Sequence, residues 1–439
     1  DEPYVRLSLA KVYLKTERYE DAMTELKTVI DAPGVALDAR SQLEQVYLRL
    51  DRKQALKALY EETLAKFPQN ALWLDRAGTY AIKAGDYDKA EQMFGKILLA
   101  GPEPSPGRDG AQTPEDALYA TALEGYLRTL IVAAGAPNTA NWKPAELDKV
   151  FEEGRKYAEG RFGHIAYVRM AQAKILLGDR STAAEYCRRA VDKAGANEAL
   201  AADIMLKMSF VLGRQEAQDY CTQKLHATPN SLAANLTLFN LAKMNGQYEE
   251  AIGYIDKCIA LAGPDSPGKI GYAMQKGEIL ILAYDKTSDK DYLRTAIAEY
   301  ESLLAKMPNN TDVATVLNNL AYVLAENNER LAEALDYVKR GLSAKPNNPV
   351  LLDTYAYVLL KNGQVSEAAE SLTAAMQYFE QDGIAVPAEV FEHKGMIKEK
   401  QGAKAEALAA YRQALKAGQN QLSEKAKRRI EEAVQRVSL

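Results

Sequence analysis

LWLDRAGTYAIKAGDYDKAEQMFGKILLAG, from Leu72 to Gly101, is the stretch on which the fold turns. Its apolar residues recur at three- and four-residue steps, break at Gly85-Asp86, resume the same step and stop at Gly101-Pro102. That is the pattern of two amphipathic helices joined by a tight turn, each with one face to bury. Glycine ends the first helix, because it accepts the left-handed backbone of a C-terminal cap, and proline stops the second. Similar breaks fall at Gly178-Asp179, Gly213-Arg214, Gly246-Gln247, Gly363-Gln364 and Gly402-Ala403. No segment alternates as a strand would, so the spacing predicts a nearly all-helical chain.

Working outward, the unit repeats. Ala183, Ala217 and Ala251 lie 34 residues apart, as do Ala22, Leu56 and Ala90, and again Ala334 and Ala368. Pro68 and Pro102 keep the same interval. A fixed period of this size is the mark of a stacked repeat rather than of several unrelated domains.

At this point the residues resemble a known family, the tetratricopeptide repeat. GDYDKA at Gly85 to Ala90, GQYEEA at Gly246 to Ala251, and PNN at 308–310 and 346–348 are similar to its motif. A small residue on the first helix, which in that family allows close helix approach, is matched by Gly78, Ala171, Ala321, Ala356 and Gly395. The second helix of the family carries a small residue and then a bulky one four later, as in Ala90 and Phe94, Ala296 and Tyr300, and Ala407 and Tyr411. The resemblance implies an all-α, right-handed α-α superhelix of about eleven helix pairs with a C-terminal capping helix.

Laid along the chain, repeats 1–3 occupy 1–102, a degenerate helical repeat spans 116–160, repeats 5–11 run over 161–420, and 421–439 is the capping helix. Leu56 departs from the usual small residue, and 116–160 has no clear register, so packing there is expected to be looser or differently angled. A Pro/Gly-rich insertion at 103–115, within GPEPSPGRDGAQTPED, cannot continue a helix and reads as an exposed loop. A second insertion, YDKTSDKDY from Tyr284 to Tyr292, is expected to lengthen the turn inside one repeat. In the last segment Leu422, Ala426, Ile430, Ala433, Val434 and Val437 share a face, while Lys425, Lys427, Arg428 and Arg429 are offset by Glu424, Glu431 and Glu432. That reads as a solvated cap. At the other end the chain enters a repeat helix without a cap or an initiator Met, and an upstream repeat or targeting segment is expected.

Composition narrows the function. Fifty-five basic against sixty acidic residues argue against a nucleic-acid partner, and no apolar run approaches the roughly 18 residues of a membrane span. The three cysteines, Cys187, Cys221 and Cys258, fall on core positions of second helices in consecutive repeats, so free buried thiols are expected. His164, His226 and His393 lie in different repeats with no metal-ligand spacing, and no phosphate-loop, dinucleotide or nucleophile-elbow motif is present. No catalytic residue, metal or cofactor is expected. The chain does not read as an enzyme.

What remains is the work of a stacked surface. First helices are expected to line a preformed concave groove that binds partner peptides or helices as a protein-interaction scaffold. By the resemblance, groove positions map to Asp75, Thr79 and Lys83, to Arg169 and Gln172, and above all to Asn240, Lys243, Asn318, Asn319, Tyr322, Asp353, Tyr357 and Lys361. The sequence holds 25 Tyr against 8 Phe and 2 Trp; most of the tyrosines, such as Tyr80, Tyr87, Tyr248, Tyr300 and Tyr411, fall on packing positions, which leaves Tyr322 and Tyr357 as groove candidates. Two other readings stand beside the scaffold: an extracytoplasmic component of bacterial polysaccharide or protein export, and the recognition arm of an enzyme whose catalytic domain lies elsewhere. Periplasmic and cytoplasmic locations both remain open on the sequence.

Overall fold

The computed structural model describes residues 2–101, 113–263, 267–307, 313–419 and 422–438. Most of the Pro/Gly-rich insertion, Pro102, the PNN at 308–310 and the start of the last segment at 421 lie outside the described residues. Among the described residues there is no strand.

The chain divides into two compact units, Asp1–Leu241 and Ala242–Leu439. The first contains α1 (Glu2–Lys15), α2 (Tyr19–Val29), α3 (Ala36–Arg49), α4 (Lys53–Lys66), α5 (Ala71–Ala84), α6 (Tyr87–Ala100), α7 (Pro114–Ala133), α8 (Asp148–Ala158), α9 (Gly163–Leu176), α10 (Arg180–Asp192), α11 (Glu198–Val211) and α12 (Arg214–Ala227). The boundary falls within α13 (Leu232–Met244). The second contains α14 (Tyr248–Leu261), α15 (Pro267–Thr287), α16 (Lys290–Lys306), α17 (Val313–Glu326), α18 (Leu331–Ala344), α19 (Pro349–Lys361), α20 (Val365–Gln381), α21 (Ala388–Lys400), α22 (Lys404–Ala417) and α23 (Glu424–Ser438). Among the described residues this is, in chain order, eleven helix pairs and one last helix.

The small-residue rule has a direct steric cause. A Cβ on Gly78 of α5 would lie 2.8 Å from the Phe94 ring of α6, and one on Gly395 of α21 would lie 2.5 Å from the Tyr411 ring of α22. Gly277 of α15 does the same for Tyr300, although its sequence context gave no sign of it. Each aromatic ring fills the space a side chain would occupy, and burying it stabilises its pair by roughly 1.5–3 kcal/mol. Phe94 is held from both sides, since a Cβ on Gly125 of α7 would also lie 2.6 Å from it. That contact supplies the register the sequence lacked over 116–160. There the pair is a 20-residue α7, a 3-10 turn at Pro144–Leu147 and an 11-residue α8.

The turns follow the sequence breaks. Gly85, Gly178, Gly246, Gly363 and Gly402 take φ between 71° and 80°, the left-handed cap that a side chain resists. The second insertion behaves differently from expectation. Instead of a long turn, it extends α15 to 21 residues, and only Ser288 and Asp289 separate it from α16.

Within each unit several first helices of successive pairs pack on one another: α5 on α7, α7 on α9 and α9 on α11 in the first unit, α17 on α19 and α19 on α21 in the second. Successive second helices do not match that packing among the described residues. Each stack therefore curves toward its first helices, which form its concave face.

Candidate functional site

In the first unit the concave face is built around a buried carboxylate. Glu44 of α3 accepts hydrogen bonds from the Tyr60 hydroxyl of α4 and the Arg76 guanidinium of α5, each at 2.6 Å. Arg76 in turn lies over the Trp73 ring at 5.1 Å, and Tyr60 packs against Trp73 and Tyr80 at centroid distances of 6.0 and 5.4 Å. Burial, with the Glu44 carboxylate beside it, pushes the Tyr60 hydroxyl well above the usual phenol range. Glu44, Tyr60, Arg76 and Tyr80 wall a cavity of about 530 Å³ that is also lined by Tyr47, Asp75, Thr79 and Lys83, with Trp73 buried behind them. The three sequence-expected positions of this repeat are thus brought together at one opening. Asp75 has a buried Oδ1 without a hydrogen-bond partner, and burial raises its carboxyl despite the Arg76 charge.

A smaller cavity of about 230 Å³ lies farther along the same unit, lined by residues of α7, α9 and α11. Arg169 bridges Gln172 at 2.8 Å and Glu124 at 2.5 Å on its wall, so both expected positions of α9 are present. Phe210 stands on its rim with 72% of its surface exposed. His164 is buried there with Nδ1 unpartnered, and burial pulls its imidazole below the ordinary value.

The second unit presents a different arrangement. Asp353 and Tyr357 of α19 are buried, at 7% and 1% exposure, rather than open to solvent. His393 of α21 covers them: its Nδ1 lies 2.9 Å from the Asp353 carboxylate, and its ring stacks on Tyr357 with centroids 4.3 Å apart. Tyr322 of α17 joins the cluster at 5.6 Å from Tyr357 and 6.4 Å from His393. The Tyr357 hydroxyl donates to Glu326 at the end of α17. Lys361 sits over the Tyr357 ring at 5.1 Å and reaches Asn328 at 3.3 Å; burial lowers its ammonium. Asn318 has a buried Oδ1 without a partner, and Asn319 faces the Tyr300 hydroxyl. Of the two remaining expected positions, Asn240 belongs to the first unit, and Lys243 of the second pairs outside this cluster. The Asn240 side chain donates to its own helix at Leu236, 2.9 Å away, and Lys243 pairs loosely with Glu278 at 3.8 Å.

The last helix completes the face, which the sequence did not foretell. Arg429 of α23 donates to both oxygens of Glu392, at 2.6 and 3.0 Å, and also to Glu326. Lys425 pairs with Asp285 of α15 at 2.6 Å, with the Tyr284 ring 5.3 Å away, and Arg436 pairs with Glu399 of α21 at 2.7 Å. Burial pushes the Glu326 carboxyl up, but Arg429 and the Tyr357 hydroxyl more than offset this and hold it below the usual range. The reading of a solvated cap is therefore corrected at Arg429, which is partly buried. Lys425, Lys427, Arg428 and Arg436 are exposed, and Lys425, Arg429 and Arg436 are engaged in ion pairs. The overlooked signal is their spacing, i, i+4 and i+11, which places them in one row.

No helix of the described residues is long and apolar enough to cross a membrane. All three cysteines are free and buried, and burial pushes each thiol up to about 12.

Residues 356–421 match the family model for the tetratricopeptide repeat. That matched segment resembles a tetratricopeptide repeat, in keeping with the helix pairs and the 34-residue period of the chain. A TPR repeat-containing protein of Pseudomonas aeruginosa is 27% identical over 134 residues, covering 29% of this chain and 22% of that protein. The Photosystem I assembly protein Ycf3 of a Synechococcus strain is 29% identical over 94 residues, covering 21% of this chain and 53% of that protein. The chain thus spans about a fifth and about half of the length of these curated relatives. Among solved structures, a tetratricopeptide repeat protein from Parabacteroides merdae is similar at 16% identity and a TM-score of 0.43, over 63% of this chain and 99% of that one. Yeast Tom70 is similar at 14% identity and a TM-score of 0.40, over 99% of this chain and 95% of that one.

Proposed function

We propose that the chain is a non-catalytic protein-interaction scaffold whose first-helix faces bind peptides or helices of partner proteins. The observation that carries this reading is the 530 Å³ opening on α3, α4 and α5, where Tyr47, Tyr60 and Tyr80 supply apolar area and Asp75, Thr79 and Lys83 supply polar tips. Rigid tyrosines beside a few directed polar groups suit recognition of a segment of chain, since little side-chain freedom is lost on binding. The tetratricopeptide match at 356–421 supports the same reading, and one relative of the chain is itself described as an assembly protein.

The test is crosslinked capture from the native cell with the wild-type chain and with Thr79→Arg and Lys83→Glu variants. Both residues are exposed, so helicity should be unchanged. Partners crosslinked by the wild type and lost by these variants are the expected outcome. Identical recovery by all three would overturn the assignment of this face.

A further inference from the structure

We propose that the concave face of the second unit is a receptor for a basic amphipathic helix, and that α23 is its resident occupant, displaced by a partner helix with the same row of cations. The inference rests on the reading of first-helix faces as binding faces. It names the chemistry that the second unit selects.

Three observations carry it. First, α23 makes more contacts than a cap requires. Closing the last pair needs only the apolar row of Ile430, Ala433 and Val437 against Ala407, Tyr411 and Ala414 of α22. Lys425 and Arg429 go beyond this and reach Asp285 of α15 and Glu326 of α17, which are 140 and 103 positions earlier. Capping does not explain contacts to those pairs.

Second, the match is regular. Arg429 and Arg436 are two helical turns apart, and so are their partners Glu392 and Glu399 on α21. The two helices therefore present their charges in matched register, and recognition is written in a spacing that another helix could reproduce.

Third, the face needs a cation. Glu392 is 1% exposed, Glu326 stands beside Arg429, and Asp353 lies beneath, already committed to His393. Carboxylates this close and this dry are costly without a positive charge between them. An occupant that replaces α23 must therefore bring an arginine or lysine to the position of Arg429.

The experiment uses the full chain and a fluorescent peptide of residues 422–438 as probe. A K425E/R436E variant, changed at side chains that are 51% and 58% exposed, should release its own α23 and keep the rest of its fold. Fluorescence anisotropy should then show the peptide binding this variant at least tenfold more tightly than the wild-type chain, and a peptide with Arg429→Glu should lose that binding. Equal, weak binding to both chains would overturn the proposal. Hydrogen exchange on the unmodified chain gives a reading that does not depend on any variant. Amides of α23 exchanging at least tenfold faster than those of α22 support a displaceable occupant, and equal protection of the two helices overturns it. Because Thr79 and Lys83 test the first unit separately, failure here with capture intact there removes this proposal alone.

Discussion

In the first unit the buried carboxylate Glu44 takes its cation from Arg76, which belongs to the adjacent pair of the same stack. In the second, Glu326 and Glu392 take theirs from Arg429, which comes from the last helix and bridges pairs that are not neighbours. Local pairing leaves the concave face of the first unit open as a cavity. Distant pairing lays a helix against the other. Stacked repeats normally interact with nearest neighbours only, so the second arrangement marks where a nearest-neighbour fold has acquired a long-range contact.

The most forceful way to break the comparison is to remove the distant cation. Arg429→Ala should destabilise the second unit by about 3 kcal/mol, near the lower end for a severed buried pair because a third of the Arg429 side chain is exposed. Arg76→Ala should cost the first unit about 1 kcal/mol, because Glu44 keeps the Tyr60 hydroxyl. Denaturant melts read by hydrogen exchange separate the two units.

Packing should not distinguish them. Gly78→Ala and Gly395→Ala each drive a Cβ into an aromatic ring, and each should cost about 2 kcal/mol by overpacking, whichever unit carries it. Thermal unfolding of the two variants checks this. A markedly larger loss at Gly395 would mean that the second unit is also the tighter stack.

Protonation should move the units in opposite directions. Burial holds the His164 imidazole below its ordinary value of 6.5, so the unfolded chain takes up the proton first and the first unit loses stability as pH falls through about 6.5. Burial also acts on His393, but Asp353 at 2.9 Å, backed by Glu392 and Glu326, more than offsets it and raises that imidazole. Its contribution is therefore fully present below 6.5 and is lost as pH rises through the folded value. Hydrogen exchange at pH 5.5 and pH 8 should show the first unit better protected at the higher pH and the second at the lower, with the crossing abolished by His164→Gln and His393→Gln.

The smallest effect is the most specific. Lys427→Ala and Arg428→Ala touch the exposed side of α23 and should each change stability by less than about 0.5 kcal/mol. Losses like that of Arg429→Ala would mean that net charge, rather than a particular row, holds the helix.

Much of the fold was legible because it is local. The three- and four-residue steps of 72–101, the turn glycines and the small residue facing a ring four positions beyond another small one all act within one pair. Gly125 was not legible, because the ring it accommodates, Phe94, belongs to the preceding pair and only the packed stack brings them together. The candidate site was legible in part for the same reason. Asp75, Thr79 and Lys83 share one helix face and meet at one cavity, so periodicity was enough to group them. Asp353 and Tyr357 share a face too, but what covers them is His393 of the next pair, and no spacing within their own repeat encodes that. The row of Lys425, Arg429 and Arg436 was visible as a charge pattern, while its acidic counterpart, Asp285, Glu326, Glu392 and Glu399, is scattered over α15, α17 and α21.

The claim that α23 lies on the face of the second unit through Arg429 is tested most directly by a double-mutant cycle between Arg429→Gln and Glu326→Gln. These residues are 103 positions apart in sequence. The arrangement predicts a coupling energy of about 1 kcal/mol or more, as for residues in contact, and losses that add within about 0.3 kcal/mol would contradict it.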